Sequence, residues 1–390
     1  MIYLDYAATT PISEAALEVY TKVARQYFGN ASSLHDLGSA SRQILDASSK
    51  TIARTLNARD RDIYFTSGAS ESNFLAIYSL LEAMEKKGGH IITTQIEHSS
   101  ISNIFNKLEM DGYEITRLGV DQYGQIDFDE LQGAVRNDTV LASIQHVNSE
   151  IGTIQDLSEI GAFLHEHKVI VHSDCVQSYG KIPLDVQELN IDALSISAHK
   201  IYGPKGVGAV WINPKAEWKP VFPGMSSGKG LKPGTSNIPA IASFATAAKE
   251  IHEDREDEQQ RMQTLRDEFL PALKDTGFEF KVEAHPQKYV PNILGLRFPG
   301  MEGQFLMLEC NQAGLAISTG SACQVGSDQP NTTMTALGKN EQEAREFIRL
   351  SFGKQNSLDQ VSLIIEKMST ILTRHFDKVN HNRIKEETTP

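Results

Sequence analysis

The chain has few of the features that mark secreted, disulfide-bonded or membrane-spanning proteins. Its 390 residues include three cysteines, Cys175, Cys310 and Cys323, and no two of them form a CxxC pair. Neither a disulfide framework nor a zinc site built from cysteine pairs is therefore expected, and no other metal site is predicted. No apolar run approaches the roughly 20 residues of a membrane span, and the opening MIYLDYAATTP lacks the pattern of a signal peptide. These absences predict a cytoplasmic protein in a reducing compartment.

Positive charge is also scarce. The chain carries 37 Lys and Arg against 50 Asp and Glu, which gives a net charge of −13. Binding to nucleic acid or to an anionic membrane needs a basic surface, so we expect neither. The length and a hydrophobic content of 40% are sufficient for two domains with separate cores.

Apolar segments alternate with helical patterns between residues 62 and 212. Several apolar segments are continuous, as in VIVHSD and DALSIS, which is typical of strands covered by helices on both faces. This alternation predicts an α/β fold with a mainly parallel, doubly wound sheet, whose ligands bind at the carboxyl ends of the strands. The predicted strands are 62–67, 90–94, 113–120, 140–146, 169–174, 192–197 and 207–212. The predicted helices among and before them are 13–27, 36–56, the helix that follows a turn within 67–87, 99–112, 127–135 and 156–167.

An acidic, helix-favouring stretch at 250–274 ends this alternation, and the strands that follow it are fewer. We predict a large domain over 15–254. We predict a smaller α+β domain formed by 1–14 together with 255–390. The small domain contains a polar, glycine-rich loop at about 318–338, which is expected to be exposed and mobile.

Two charged side chains lie at the ends of predicted strands, where such a sheet binds ligands. Lys200 follows an apolar strand directly, and an enzyme that uses pyridoxal phosphate (PLP) needs such a lysine to hold the cofactor as a Schiff base and to move protons. Asp174 ends the strand VIVHSD, where a carboxylate can pair with the pyridinium nitrogen, and Gln177 is then within reach of the phenolic oxygen. The alternatives are a surface lysine in a turn and an aspartate that caps the next segment.

An anion site is predicted at SGASES (67–72), where a strand ends and small hydroxyl residues open a helix. It would hold the cofactor phosphate with help from Ser197 and His199, although an ordinary capped helix has the same pattern. His98 follows the strand HIITT and is placed to stack on a flat cofactor ring and carry protons. A purely structural histidine is the alternative.

The three cysteines differ in their surroundings. Cys323 lies in ISTGSACQVGSDQPNTT, where a thiol can be both reactive and able to move. Cys310 lies on an apolar helical pattern and is expected in the core. Cys175 is next to Asp174, whose negative charge disfavours a thiolate, so it is interpreted as packing.

The order of these signals along the chain is more specific than any one of them. The chain resembles the cysteine desulfurase family, in its NifS/IscS-like branch, among the class V aminotransferases of PLP fold type I. The resemblance runs nearly from end to end. The segments that carry it are YLDYAATTP (3–11), GNASSLHDLG (29–38), FTSGASESNFLAI (65–77), EH (97–98), EIGTIQ (150–155), HSDCVQSYGKIP (172–183), SISAHKIYGPKGVGA (195–209), PGTSN (233–237), STGSAC (318–323) and IRLSFGK (348–354).

The resemblance implies a PLP-dependent sulfurtransferase that converts L-cysteine to L-alanine and holds the sulfur as a persulfide on Cys323. The catalytic residues that it implies are Cys323, Lys200 and His98. The cofactor-binding residues that it implies are Lys200, His98, Asp174, Gln177, Ala69, Ser70, Ser197, His199 and Thr235. Arg349 would clamp the substrate carboxylate, a task suited to a guanidinium, and Ser149 would lie near the substrate.

The resemblance also implies partners. Thr235 would reach the phosphate of a neighbouring subunit, which predicts a homodimer with shared sites. A protein acceptor would take the sulfur: an iron–sulfur scaffold, a thiolation protein or a dedicated client enzyme.

Several positions depart from the family pattern. They are Ser149 for asparagine, PGMSSGKG (223–230) for GGGQE, Lys232 and Lys354 for arginine, Ser70 for threonine and Cys175 for alanine. We hypothesise that these departures mark a specialised enzyme that serves a dedicated acceptor. The alternatives are a selenocysteine lyase, a related class V aminotransferase or a non-catalytic assembly partner.

Overall fold

A computed structural model describes residues 1–84, 88–222, 224, 230–320 and 331–388, with side chains up to 377. The first two thirds of the chain alternate strands and helices. These elements are β1 (Ile2–Tyr3), α1 (Glu14–Gln26), α2 (Asp36–Thr55), β2 (Ile63–Thr66), α3 (Ala69–Ala83), β3 (Gly89–Thr94), α4 (Ser99–Met110), β4 (Tyr113–Leu118), α5 (Phe128–Ala134), β5 (Thr139–Ser143), α6 (Leu157–Glu166), β6 (Ile170–Asp174), β7 (Ala193–Ser197), β8 (Gly208–Ile212) and α7 (Ile238–Glu253).

The remaining part of the chain is less regular. Its elements are α8 (Arg255–Asp275), β9 (Lys281–Glu283), β10 (Ile293–Arg297), α9 (Gly303–Gln312), β11 (Leu315–Ala316), α10 (Thr332–Ala336), α11 (Glu341–Arg345), β12 (Phe347–Ser351) and α12 (Leu358–Thr388). None of the helices in the described part of the chain is both long and apolar enough to span a membrane.

The large sheet has seven strands in the order β2-β8-β7-β6-β5-β3-β4. The five strands from β7 to β4 are parallel, whereas β8 runs antiparallel to both β7 and β2. Every residue of β7 and β8 is buried, as expected of strands covered on both faces. The predicted α/β class with a mainly parallel sheet is confirmed.

The predicted strands and helices agree with the observed ones to within a few residues at each end. Ser13 caps α1 by accepting a hydrogen bond from Ala16 N. The stretch 250–274 is divided between two helices, because α7 ends at Glu253 and α8 begins at Arg255.

Of the three largest groups of buried apolar residues, two lie on the large sheet and the third lies elsewhere. Residues of the large sheet and its flanking helices form the first two groups. The third gathers residues from α8, β10, β12 and α12, together with Leu4 from the start of the chain. The first strand, β1, pairs in parallel with β11, so the N-terminal segment belongs with the C-terminal part of the fold.

Candidate active site

The carboxyl ends of the large-sheet strands open onto a pocket of about 540 Å³. This volume is within the usual range of about 300–1,000 Å³ for sites that bind small molecules. Ten of the twelve predicted site residues line it: Ala69, Ser70, His98, Ser149, Asp174, Gln177, Ser197, His199, Lys200 and Arg349. Nine of these ten come from strand ends of the large sheet, from the loops after them or from the first turn of α3, where such sheets bind ligands. The tenth, Arg349, comes from β12.

Lys200 ends a single 3₁₀ turn, Ala198–Lys200, that follows β7 directly. Its Nζ donates hydrogen bonds to the carbonyl oxygens of Ala7 at 2.5 Å and Ala8 at 2.8 Å. The N-terminal segment thus reaches across to the lysine. Sequence reasoning did not predict this contact, although Ala7 and Ala8 belong to the YLDYAATTP motif.

Asp174 ends β6 and is only 7% exposed. Its Oδ2 accepts a hydrogen bond from Asn73 Nδ2 at 2.9 Å, and its Oδ1 accepts one from Val176 N at 3.0 Å. Both partners are neutral, so they hold the carboxylate without neutralising its charge. A carboxylate held in this way suits a cationic ring nitrogen.

Gln177 is buried, and both ends of its amide are engaged. Its Nε2 donates to the Ala7 carbonyl at 2.9 Å, and its Oε1 accepts from Lys181 Nζ at 2.5 Å. Because a carbonyl only accepts, the Ala7 carbonyl fixes which end of the amide carries the nitrogen. The amide nitrogen of Gln177, whose second proton remains, is therefore the end available to an oxygen of a ligand.

The entrance to α3 has the properties of a phosphate cradle. Gly68 adopts a φ of +145° and has no side chain that could cap the helix. The first N–H groups of α3 therefore have no side-chain acceptor at the N-cap. Gly208 packs closely against Gly68, because a Cβ on Gly208 would lie 2.9 Å from Gly68 Cα. The Oγ atom of Ser197 is buried and has no hydrogen-bond partner in the described residues. An unpaired buried hydroxyl beside helix N–H groups fits a bound anion.

His199 lies beside this cradle and contacts Thr9 Oγ1 through its Nδ1 at 3.1 Å. Burial, together with the positive charges of Lys200 and Lys205, lowers the pKa of His199 to about 4. The ring is therefore neutral at pH 7, when it can donate or accept a hydrogen bond without adding charge. Lys205 also lines the pocket, which sequence reasoning did not predict.

His98 precedes α4 and is exposed to the pocket. Its Nδ1 accepts a hydrogen bond from Ser100 N at 3.2 Å and lies 2.9 Å from Ser100 Oγ. The imidazole therefore caps the helix with one nitrogen. The predicted role of the ring toward a cofactor involves its opposite edge or its face.

Arg349 is 2% exposed and is held at two of its nitrogens. One terminal nitrogen donates to the Ser149 carbonyl at 2.9 Å, and the other pairs with Asp5 Oδ1 at 2.6 Å. Its Nε is buried without a partner in the described residues. The guanidinium thus keeps donor capacity toward the pocket, while Asp5, which sequence reasoning missed, supplies a counter-charge.

The two remaining predicted site residues are Thr235 and Cys323. Thr235 lines a separate cavity of about 400 Å³ together with Asn30, Ala31 and Tyr64. Cys323 lies outside the described residues, as does most of 223–230. Cys175 and Cys310 are fully buried, as predicted, and burial raises the pKa of each thiol to about 12. Neither is a thiolate at neutral pH.

The located departures from the family pattern leave the charged groups of the pocket in place. Lys232 pairs with Glu71 at 2.6 Å beside the cradle, and Lys354 pairs with Asp254 at 3.1 Å on the surface. Ser149 contributes its backbone carbonyl to Arg349. Within the described ranges, no group of three or more His, Cys, Asp or Glu residues is arranged to hold a metal ion.

The family model for aminotransferase class-V matches residues 2–364. The chain belongs to this family. It is 45% identical to a NifS of Bacillus subtilis (strain 168), over 95% of this chain and 94% of that protein. It is 36% identical to the cysteine desulfurase IscS 1 of Archaeoglobus fulgidus, over 96% of this chain and 97% of that one.

Solved structures agree with this assignment. A NifS-like protein superposes with a TM-score of 0.89 at 30% identity and covers 95% of this chain and 99% of its own. SspA, solved in complex with cysteine, has a TM-score of 0.81 at 32% identity and covers 90% and 99%. The resemblance to the NifS/IscS-like branch is therefore confirmed, and so is PLP as the family's cofactor.

Proposed function

We propose that this class V aminotransferase homologue is a cysteine desulfurase that converts L-cysteine to L-alanine and holds the sulfur as a persulfide on Cys323. One observation carries the proposal: Lys200, Asp174 and His98 meet in one pocket that also contains the unpaired hydroxyl of Ser197. The names of the IscS relatives and the cysteine bound to SspA support the choice of substrate.

The residues present fit PLP at each of its polar groups. When bound, PLP supplies an electron sink that draws electrons from the substrate α-carbon. Lys200 would hold it covalently, Asp174 would meet its ring nitrogen and Gln177 its phenolic oxygen. The phosphate would lie against Ala69, Ser70, Ser197 and His199.

The protein groups divide the remaining work. Arg349, buried and positively charged, would bind the substrate carboxylate. Lys200 would take the proton from the α-carbon. The thiolate of Cys323 then bonds to the substrate sulfur as the carbon–sulfur bond breaks and its electrons stay with the carbon. A proton delivered to that β-carbon and the return of the α-proton from Lys200 to the α-carbon would complete alanine, and the persulfide remains on Cys323.

A homodimer with shared sites is part of the proposal. Thr235 lies apart from the other predicted residues, in a cavity that Asn30 also lines. Close to Asn30 in sequence, Phe28 is 70% exposed and Leu34 is 99% exposed. Large apolar side chains so exposed are typical of surfaces covered by another chain. A second copy would cover them and bring Thr235 toward the partner's phosphate.

The two-domain division is proposed with the boundaries predicted from the sequence, 15–254 and 1–14 with 255–390. Support comes from the separate apolar group that joins Leu4 to the C-terminal elements. The sulfur acceptor is proposed to be a protein: an iron–sulfur scaffold, a thiolation protein or a dedicated client enzyme. The altered positions Ser149 and Lys232 favour a dedicated one.

The test measures alanine formed from L-cysteine, with reductant, by the wild type and by Cys323→Ser. Both proteins must first show the absorbance of bound PLP at about 420 nm. We expect alanine from the wild type and little from the variant. Equal alanine from both would exclude Cys323 as the sulfur acceptor, and a preference for selenocysteine would favour a lyase. Absence of the absorbance band in the wild type would contradict a PLP enzyme.

A further inference from the structure

A continuous series of hydrogen bonds joins His98 to Asp174 through two residues that the sequence did not single out. Asn73 Nδ2 donates to Asp174 Oδ2 at 2.9 Å and to Ser100 Oγ at 3.0 Å. Ser100 Oγ lies 2.9 Å from His98 Nδ1, and Ser100 N donates to the same nitrogen at 3.2 Å. Two groups that face the cofactor site are thus held by one set of contacts.

The direction of the first hydrogen bonds follows from the carboxylate. Asn73 is fully buried, and its Oδ1 has no partner in the described residues. Reversing the amide would place Oδ1 against Asp174 Oδ2, so that two acceptors would face each other. Asp174 therefore fixes Nδ2 toward itself, and the second proton of Nδ2 goes to Ser100 Oγ.

The direction of the last hydrogen bond follows in turn. A serine hydroxyl has one proton and accepts through its lone pairs. Because Ser100 Oγ already accepts from Asn73, its own proton is available to His98 Nδ1. The backbone N–H of Ser100 donates to the same nitrogen. Two donors therefore face Nδ1. This nitrogen can accept from them only if it carries no proton and presents its lone pair.

We propose that Ser100 and Asn73 are positioning residues that fix neutral His98 as the tautomer with its proton on Nε2. This inference deepens the proposed function and rests on it for its catalytic meaning. His98 is exposed to the pocket, so its Nε2–H is the polar group that the ring offers there. The series also couples the orientation of the ring to the position of Asp174.

The tautomer divides the proton chemistry between two residues. The only lone pair of the neutral ring is on Nδ1, which Ser100 occupies, so His98 offers the pocket a donor and no base. Removal of the α-proton then falls to Lys200. His98 is left to donate a hydrogen bond to a group that gains negative charge, which is the kind of contact that assists a reaction most when it is preorganised.

The test reads the tautomer directly from the imidazole nitrogens. The holoenzyme is labelled with ¹⁵N-histidine, and a two-bond ¹H–¹⁵N spectrum is recorded at pH 7.5 and above. The signals of His98 among the 12 histidines are identified by their loss in His98→Gln. We expect Nδ1 at the shift of an unprotonated nitrogen and Nε2 at that of an N–H. A wild-type His98 with its proton on Nδ1 would overturn the proposal without any further variant.

Variants of Ser100 then test the cause. In Ser100→Ala we expect a mixture of tautomers and about a tenfold lower kcat for alanine formation with little change in KM. Ser100→Thr restores the hydroxyl and should recover both. Ser102→Ala, on the same helix but outside the series, is the matched control. Unchanged His98 shifts in Ser100→Ala would show that the hydroxyl does not set the tautomer.

Failure of this inference is distinguishable from failure of the proposed function. If the wild type makes no alanine, the proposed function fails, whereas the nitrogen shifts still report which tautomer His98 adopts. If the wild type makes alanine but His98 carries its proton on Nδ1, only the positioning role is overturned.

Discussion

The pocket receives Asp174 from the large sheet and Arg349 from a small three-stranded sheet of β12, β10 and β9. The two charges are held in different ways. Asp174 has neutral partners, Asn73 and the Val176 N–H. Arg349 pairs with a carboxylate, that of Asp5. The small sheet repeats this pattern, because Arg297 pairs with two buried glutamates, Glu283 and Glu346.

This difference in partners determines how much of each charge is available to a bound ligand. A charge held by neutral groups keeps its full field in the pocket, whereas one held by a counter-charge is partly balanced before any ligand arrives. The large sheet thus presents the charge that would act on the cofactor. The charge of Arg349 would have to be shared between Asp5 and a substrate carboxylate.

Replacing the charge that has neutral partners should have the largest effect. Asp174→Asn keeps the size of the side chain but removes the negative charge, so we expect alanine formation to fall by about 100-fold or more. The rate is compared with that of Asp138→Asn, which removes a surface carboxylate paired with Arg136. Near-wild-type turnover in Asp174→Asn would contradict the comparison between Asp174 and Arg349, because the negative charge of Asp174 would then not contribute to the reaction.

Removing the counter-charge should have a smaller and different effect. In Asp5→Asn the guanidinium of Arg349 loses the partner that orients it, so we expect KM for L-cysteine to rise about tenfold with a lesser change in kcat. Steady-state kinetics measure both, and Asp254→Asn, which breaks the exposed pair with Lys354, is the control. A lower KM would mean that Asp5 competes with the substrate instead of positioning Arg349.

Two histidines extend the comparison to stability. His172 is buried between the hydroxyls of Ser143 and Ser195, and burial lowers its pKa to about 3. The unfolded chain then binds a proton below about pH 6.5 that the folded one does not. His172 should therefore reduce the free energy of unfolding by about 1.4 kcal/mol per pH unit as the pH falls from 6.5 toward 3.

Urea unfolding at several pH values tests this slope in His172→Gln, where we expect it to be shallower. His165 is the opposite case, because its hydrogen bond to Asp192 raises its pKa. Its contribution is present below the pKa of the unfolded chain and is lost as the pH rises through the folded pKa. As the pH falls, His172→Gln should therefore lose less stability than the wild type, whereas His165→Gln should lose more. Equal slopes of the free energy of unfolding against pH in the two variants would contradict the distinction between a histidine with neutral partners and one paired with a carboxylate.

The sequence predicts the large sheet well because its strands are short, continuous apolar runs bounded by polar turns. It does not separate α7 from α8, since Asp254 interrupts a stretch in which both sides favour a helix. Ten predicted site residues share one pocket because each follows a strand of the same sheet or matches a family motif.

The residues that the sequence missed act through contacts between distant segments. Asp5 is 344 residues from Arg349, and Asn73 is 101 residues from Asp174. Such pairs have no local pattern. Asn73 did carry one signal, a polar side chain just before the apolar run FLAI of a helix, and Ser100 had none beyond its place after His98.

The N-terminal segment sets a limit on when the pocket can form during synthesis. Its Ala7 N–H is held by Ser351 Oγ, 344 residues later, and β1 pairs with β11. The segment whose carbonyl groups meet Lys200 is therefore not anchored at Ser351 until almost the entire chain has left the ribosome. Contacts so distant in sequence form slowly. The large sheet can pack early, whereas the site around Lys200 should be completed only after synthesis of the chain has ended. Chains truncated before Ser351 should therefore be inactive.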